Sequence, residues 1–176
     1  MSESTQQHRE AAAATVEAVP CAVITVSDTR TPETDKGGDL VVRRLEDAGH
    51  VVRSREIVPD DADRIAAAVD AGVADPEIRA VLTTGGTGIS RRDTTIEVVR
   101  RRLASELPGF GELFRMLSWD EVGAAAMLSR AIAGLAVHDA GGDTFIFAMP
   151  GSTNAVDTAM SKLVTPELSH LVWERR

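Results

Sequence analysis

The sequence is poor in the residues that would cross-link it, stack on bases or carry it into a bilayer. Its 176 residues hold one cysteine, Cys21, so no internal disulfide can form and no cysteine metal cluster can be built. Cys21 reads instead as a small apolar residue at the start of a buried strand. Tyrosine is absent and aromatics make up 3%, too few for the stacking platforms that hold single-stranded nucleic acid. Lysine occurs only at Lys36 and Lys162 and the net charge is −8, so the basic face that neutralises a phosphate backbone is missing. No apolar run reaches the roughly 20 residues a bilayer span needs, and the stretch 122–137 is interrupted by Ser129 and Arg130. The N-terminus lacks a basic segment followed by a long apolar one. The expectation is a cytoplasmic protein with neither nucleic-acid nor membrane partners.

What remains is ordinary for a globular chain, 43% hydrophobic and 26% charged, and long enough for one domain with a packed core. Residues 1–19 are polar, Ala-rich and aperiodic and read as a mobile tail that includes His8; residues 20–176 read as the domain. Cys21–Ser27, Val51–Val58 and Ala80–Thr84 read as parallel strands. A helix opening at Gly37-Gly38 and running to Ala48, with Gly49 as its stop, follows the first. A helix over Ala62–Ala74 follows the second, capped by Asp61. A third, Thr94–Ala104, follows the last. This βαβαβα order predicts a three-layer α/β/α fold with a mostly parallel sheet. Pro108–Leu117 is less regular, with Phe110, Leu113, Phe114 and Leu117 as a short helix face, and Asp120 reads as the cap of a helix through Leu128. Gly134–His138 and Thr144–Met149 read as one antiparallel hairpin turning at Asp139–Asp143. A last helix runs over Ala155–Lys162 and continues after Pro166 through Trp173, with His170 on its face. His50, at the entrance to the second strand, reads as structural.

The stretch around which the chain is organised is Ala80-Val-Leu-Thr-Thr-Gly-Gly-Thr-Gly-Ile-Ser-Arg-Arg-Asp93. A strand empties into Thr84, Gly85, Gly86, Thr87 and Gly88, and a helix follows. Glycines let backbone N–H groups approach an anion closely, and strand carboxyl ends are where open α/β sheets bind ligands. The loop is neither a Walker A motif, since no Gly-Lys-Ser/Thr follows, nor a dinucleotide fingerprint, since Arg91 stands where the third glycine would be. It reads either as a plain turn or as a binding loop; Arg91, Arg92 and Asp93 directly after it, with its hydroxyls, favour binding. Ser27 and Asp28 end the first strand beside it, as turn and cap residues or as part of the site. Asp60 is left over once Asp61 caps a helix, and Asp93 is either a helix cap or a site carboxylate.

Val23-Ile-Thr-Val-Ser-Asp28, Val58-Pro-Asp60, Thr83-Thr-Gly-Gly-Thr-Gly88 with Arg92-Asp93, Pro108-Gly-Phe-Gly-Glu112, Leu128-Ser-Arg130 and Met149-Pro-Gly151 together resemble the MoaB/MogA family of molybdenum cofactor biosynthesis proteins. Phe114-Arg-Met-Leu-Ser118 and Pro150-Gly-Ser-Thr153 resemble its MoaB branch. The resemblance implies a molybdopterin-binding domain that adenylylates the pterin phosphate with Mg-ATP and releases pyrophosphate. The alternative it leaves is a non-catalytic carrier of molybdopterin. It implies Asp60 and Asp93 as the essential carboxylates and as ligands of Mg²⁺. It also places Ser27, Asp28, Thr84, Gly85, Gly86, Thr87, Gly88, Glu112, Ser129, Pro150, Gly151 and Ser152 at the substrate pocket. The family further implies a homotrimer or hexamer and other cofactor-biosynthesis proteins as partners. For this, the apolar residues over 110–117 and Trp119 offer either an interface or ordinary core.

Overall fold

The computed structural model describes residues 15, 16, 18–137 and 143–175. Six strands form one sheet in the order β2-β1-β3-β6-β5-β4. They are β1 Pro20–Val26, β2 Val51–Val58, β3 Ala80–Thr84, β4 Ser105–Glu106, β5 Ile132–Ala136 and β6 Thr144–Met149. β2, β1, β3 and β6 pair in parallel; β5 pairs antiparallel with both β6 and β4. The helices are α1 Lys36–Asp47, α2 Ala62–Ala74, α3 Thr95–Arg100, α4 Pro108–Val122, α5 Thr153–Ala159 and α6 Thr165–Glu174. A 3₁₀ segment, Gly123–Leu128, follows α4, and a π turn, Met160–Val164, joins α5 to α6.

The period-two alternation of the strands decides the layers. Cys21, Val23, Leu82, Phe145, Phe147 and Met149 face one side and pack with Val41 and Leu45 of α1, Phe110 and Phe114 of α4, Val156 of α5 and Leu168 of α6. Ala22, Ile24, Val26, Val81, Ile146 and Ala148 face the other side and pack with Ile65 and Val69 of α2 and Val99 of α3. This is the expected three-layer α/β/α sandwich. Cys21 is fully buried in the first layer, where burial pushes its thiol up to about 12 and leaves it unreactive. His50 is structural too: it is buried, its Nδ1 accepts the Val19 N–H at 3.3 Å, and burial lowers its pKa. Val16 and Val19 belong to the same core; the tail expected at 1–14 and 17, with His8, lies outside the described residues.

Helix α1 is capped by Asp35, whose carboxylate accepts the Gly38 N–H at 2.9 Å. The expected Asp61 cap of α2 accepts from the Asp63 and Arg64 amides, and Gly49 closes α1 with φ +82°. Four expectations are corrected. Helix α3 ends at Arg100, because the chain is then drawn to the sheet: the Ala104 and Leu107 amides donate to Leu135 and Ala133, flanking the short edge strand β4. Residues 108–122 form one continuous helix, since Pro108 starts it and Phe110 and Phe114 bury in the core; Asp120 lies inside it and caps nothing. β5 begins at Ile132 rather than Gly134; of the expected hairpin, residues 138–142 fall outside the described residues. Helix α5 begins at Thr153, capped by the Ser152 hydroxyl, and passes into α6 through the π turn, with Pro166 in the first turn of α6.

Candidate functional site

Four parallel strands present their carboxyl ends at one edge of the sandwich. β1 crosses to β2 on one side, and β2 crosses back over β1 to β3 on the other. The divergence between β1 and β3 opens the crevice in which α/β sheets hold ligands. The glycine loop leaves β3 there.

The loop's shape is set by close backbone approaches. Gly85 (φ +95°) lies so near β1 that a Cβ would stand 2.3 Å from the Val26 carbonyl oxygen. Gly86 (φ +60°) faces inward, where a Cβ would meet Thr95 Oγ1 at 2.3 Å and Asp60 Oδ1 at 3.0 Å. The Gly85 amide donates to Met149 O at 3.1 Å and Thr84 Oγ1 donates to Pro150 O at 3.2 Å, which join the loop to the Pro150–Gly151 turn. After these anchors come four consecutive backbone N–H groups, of Gly86, Thr87, Gly88 and Ile89, with no hydrogen-bond partner among the described residues. A run of free amides in a glycine turn is an anion-binding concavity.

Carboxylates stand beside it. Asp28, at the end of β1, accepts the Asp60 N–H at 3.1 Å and pairs with Arg92 at 2.8 Å. The Arg92 guanidinium also reaches the Asp60 carbonyl at 3.5 Å. Asp60 Oδ1 is buried without a partner. Burial raises the Asp60 pKa, and the nearby charges of Asp93 and Asp28 raise it further, against Arg92 and the Thr94 amide. Asp93 does not cap α3: Thr94 holds that position, and the Asp93 carboxylate instead accepts the Ser90 N–H at 2.8 Å while its own amide donates to Ser90 O.

Arg130 holds the loop from outside. Its guanidinium donates to the carbonyls of Thr87 (2.8 Å), Gly88 (2.5 Å) and Asp93 (3.1 Å) and pairs with Glu97. On the other flank Asp35 is buried and accepts from Thr25 Oγ1 at 2.7 Å and from Arg55 at 2.9 Å. Burial would raise its pKa, but the bonds from Gly38, Arg55 and Thr25 outweigh burial and hold the carboxyl below its usual range. Two hollows lie at this end of the sheet, and only the smaller is lined by the loop. One of about 100 Å³ is lined by Thr25, Ser27, Asp35, Thr84, Gly85 and Gly151. A wider cleft of about 650 Å³ runs along the ends of β1 and β2, past Asp28, Arg30, Pro32, Arg55, Ile57 and Pro59.

Of the residues expected at the site, Ser27, Asp28, Asp60, Thr84–Gly88, Asp93, Pro150 and Gly151 come together. Ser27 Oγ accepts the Thr29 and Arg30 amides and shapes the turn after β1. Ser152 caps α5 through its hydroxyl, accepting the Ala155 N–H at 3.3 Å. Glu112 is exposed on α4, and no hydrogen bond or ion pair among the described residues ties it to the loop. The Ser129 amide bonds only Ala126 O; its neighbour Arg130 makes the contact. Sequence reasoning missed Arg130 and the Thr25–Asp35–Arg55 network, although Leu128-Ser-Arg130 was the signal for the first. Among the described residues no three His, Cys, Asp or Glu side chains gather into a metal cage. Two carboxylates and a partnerless buried Asp60 oxygen fit Mg²⁺, which keeps waters and takes substrate phosphates as its other ligands.

Residues 22–170 match the family described as "probable molybdopterin binding domain". The chain is 51% identical over 174 residues to molybdenum cofactor biosynthesis protein B of Bacillus subtilis (strain 168), covering 98% of each chain. A crystal structure of a molybdenum cofactor biosynthesis protein B superposes with a TM-score of 0.83 at 51% identity, over 89% of this chain and 95% of that one. That of the tungsten cofactor synthesizing protein MoaB from Pyrococcus furiosus gives 0.83 at 36% identity, over 92% and 99%.

Proposed function

The chain belongs to the MoaB/MogA family of probable molybdopterin-binding domains, and from that premise we propose that it acts in molybdenum cofactor biosynthesis by adenylylating molybdopterin. The observation that carries the reading is the pairing of four free loop amides, Gly86 to Ile89, with the carboxylates of Asp28, Asp60 and Asp93 beside them. Amides bind phosphate oxygens; carboxylates beside bound phosphates call for a cation. The two together suit a nucleoside triphosphate.

In the reaction proposed, an oxygen of the pterin phosphate attacks the α-phosphorus of ATP. The bond to the β-phosphate oxygen breaks and pyrophosphate leaves. No protein nucleophile is needed, so rate comes from alignment and charge stabilisation. The loop amides hold phosphate oxygens, Arg92 is fixed between Asp28 and the Asp60 carbonyl, and the cleft along β1 and β2 has room for a pterin ring. Asp60 and Asp93 would hold Mg²⁺, which when bound supplies charge neutralisation to the phosphates. Ser27 and Gly151 line the smaller hollow beside the loop, Pro150 anchors the loop through the Thr84 hydroxyl, and Ser152 caps the helix that follows.

We also propose a homotrimer, or trimers paired as a hexamer. Phe110 and Phe114 are core, but Leu113, Met116, Trp119, Met127 and Leu128 leave an apolar strip exposed along α4 and the 3₁₀ segment.

The test is adenylyl transfer itself, with purified protein, molybdopterin and Mg-ATP, reading adenylylated pterin and pyrophosphate together. Wild type should form both, and Asp93→Asn should lose at least about a hundredfold in rate. Tight pterin binding without product would replace the enzyme by a carrier.

A further inference from the structure

We infer that Arg130 is a positioning residue that presets the glycine loop as an anion cradle, by holding the carbonyl ends of two of its peptides so that their N–H ends point to the ligand side. The inference rests on reading that loop as a phosphate site.

The argument is one of peptide geometry. In a trans peptide the C=O and the N–H point in opposite directions, and the structure holds no cis peptide among its described residues. The Thr87 carbonyl shares its peptide with the Gly88 N–H, and the Gly88 carbonyl shares its peptide with the Ile89 N–H. Arg130 binds both carbonyls, at 2.8 and 2.5 Å. Both amides are therefore turned away from Arg130, and both lack a protein partner. The third carbonyl held is that of Asp93, at 3.1 Å, which ties the end of the loop to the same guanidinium just before α3 begins. One guanidinium thus orients two free amides and anchors the far end of the loop.

Only a planar fork of donors can do this. Glu97 takes one side of the guanidinium, with Nη1 to Oε1 at 2.5 Å and a longer Nη2 contact to Oε2 at 3.5 Å, while Nε and Nη2 make the bonds to the loop. A lysine would keep the charge but not the fork. Glycine makes the restraint necessary, because both held peptides adjoin Gly88, whose backbone turns over at little steric cost. The loop's freedom of φ is what lets it approach an anion, and Arg130 removes the alternative in which carbonyls face the ligand.

The test compares wild type with Arg130→Lys and Arg130→Gln by amide NMR, with inorganic pyrophosphate as the probe. In wild type, pyrophosphate should shift the Gly86 to Ile89 amide protons downfield. In both variants that response should fall by about tenfold in affinity, and the bonded amides of Ser90, Asp93 and Thr95 should exchange about tenfold faster. Exchange in β1 and β3 should stay unchanged. Should Arg130→Gln fail to fold, Arg130→Lys carries the test. Wild-type behaviour of the lysine variant would reduce Arg130 to a charge and overturn the inference, as would a wild-type loop that ignores pyrophosphate. If loop protection falls as expected but wild type makes no adenylylated pterin, the inference stands and the proposed reaction fails.

Discussion

One methyl group should separate the site's chemistry from the fold's stability. In Gly88→Ala the new Cβ would stand 2.7 Å from Asp93 Oδ2 and 3.1 Å from its Cγ. Ordinary contact begins near 3.4 Å, so the carboxylate must retreat by about 0.7 Å. The backbone resists little, because Gly88 is not among the positive-φ residues. Retreat weakens the 2.8 Å bond that Oδ2 accepts from the Ser90 amide, a loss of about 1 kcal/mol. For phosphoryl chemistry that depends on alignment, a displacement of this size costs about a hundredfold in rate. The matched control is Gly49→Ala, in the turn after α1. There φ is +82° and nothing lies within 4 Å of the new Cβ, so only backbone strain is added, about 1–2 kcal/mol. Urea unfolding and adenylyl transfer measured on both variants should therefore rank them in opposite orders. Gly88→Ala should lose activity with little stability, and Gly49→Ala stability with little activity. Gly88→Ala retaining activity within a few-fold would refute the argument that the place of Asp93 limits the reaction.

Other perturbations follow from the same geometry. Asp60→Asn should raise thermal stability at neutral pH, by about 1 kcal/mol, while abolishing adenylyl transfer. The raised Asp60 pKa means its ionisation opposes folding, so wild type should lose stability relative to the variant as pH rises through that raised value, a difference calorimetry at several pH values would read. Asp35 has the opposite sign: its depressed pKa contributes stability above the ordinary aspartate value of 3.8 that is lost as pH falls through its folded value. Asp35→Ala, which uncaps α1 and strands Thr25 and Arg55, should cost about 3 kcal/mol in urea unfolding at pH 7 and flatten that acid dependence. Trp119→Glu with Met127→Glu should lower the solution mass from trimer or hexamer to monomer in light scattering.

The legible parts of the chain were those whose signals are local. β1 to β3, α1 and α2 announce themselves by apolar runs, caps and glycine stops, and the glycine loop with Asp60 and Asp93 could be placed because parallel strands bring their ends together. Helix α4 reads as irregular from sequence because Pro108-Gly-Phe-Gly has poor helix propensity; burial of Phe110 and Phe114 overrides it. Gly111 is there because a Cβ would come within 2.6 Å of the Ala131 carbonyl oxygen. Arg130 escaped for a different reason. Its partners lie 33 to 43 residues away, and no periodicity encodes a side chain that reaches back to a loop. Asp35 likewise takes its weight from Thr25 and Arg55, on two different strands.

The place of β6 between β3 and β5 also sets an order of events during synthesis. β1, β2 and β3 can pair as soon as they leave the ribosome, but β3 is buried along its whole length in the finished sheet, and its second edge, with Ala80 opposite Phe145, is covered only when β6 arrives. At roughly 5–20 residues per second that interval is about 3–12 s, during which β3 presents an open apolar edge to anything nearby. The last-made strand that pairs must enter the middle of the sheet rather than extend its rim. A chain stalled before Thr144 is therefore expected to be sticky, and substitutions that weaken β6 should show first as lost soluble yield.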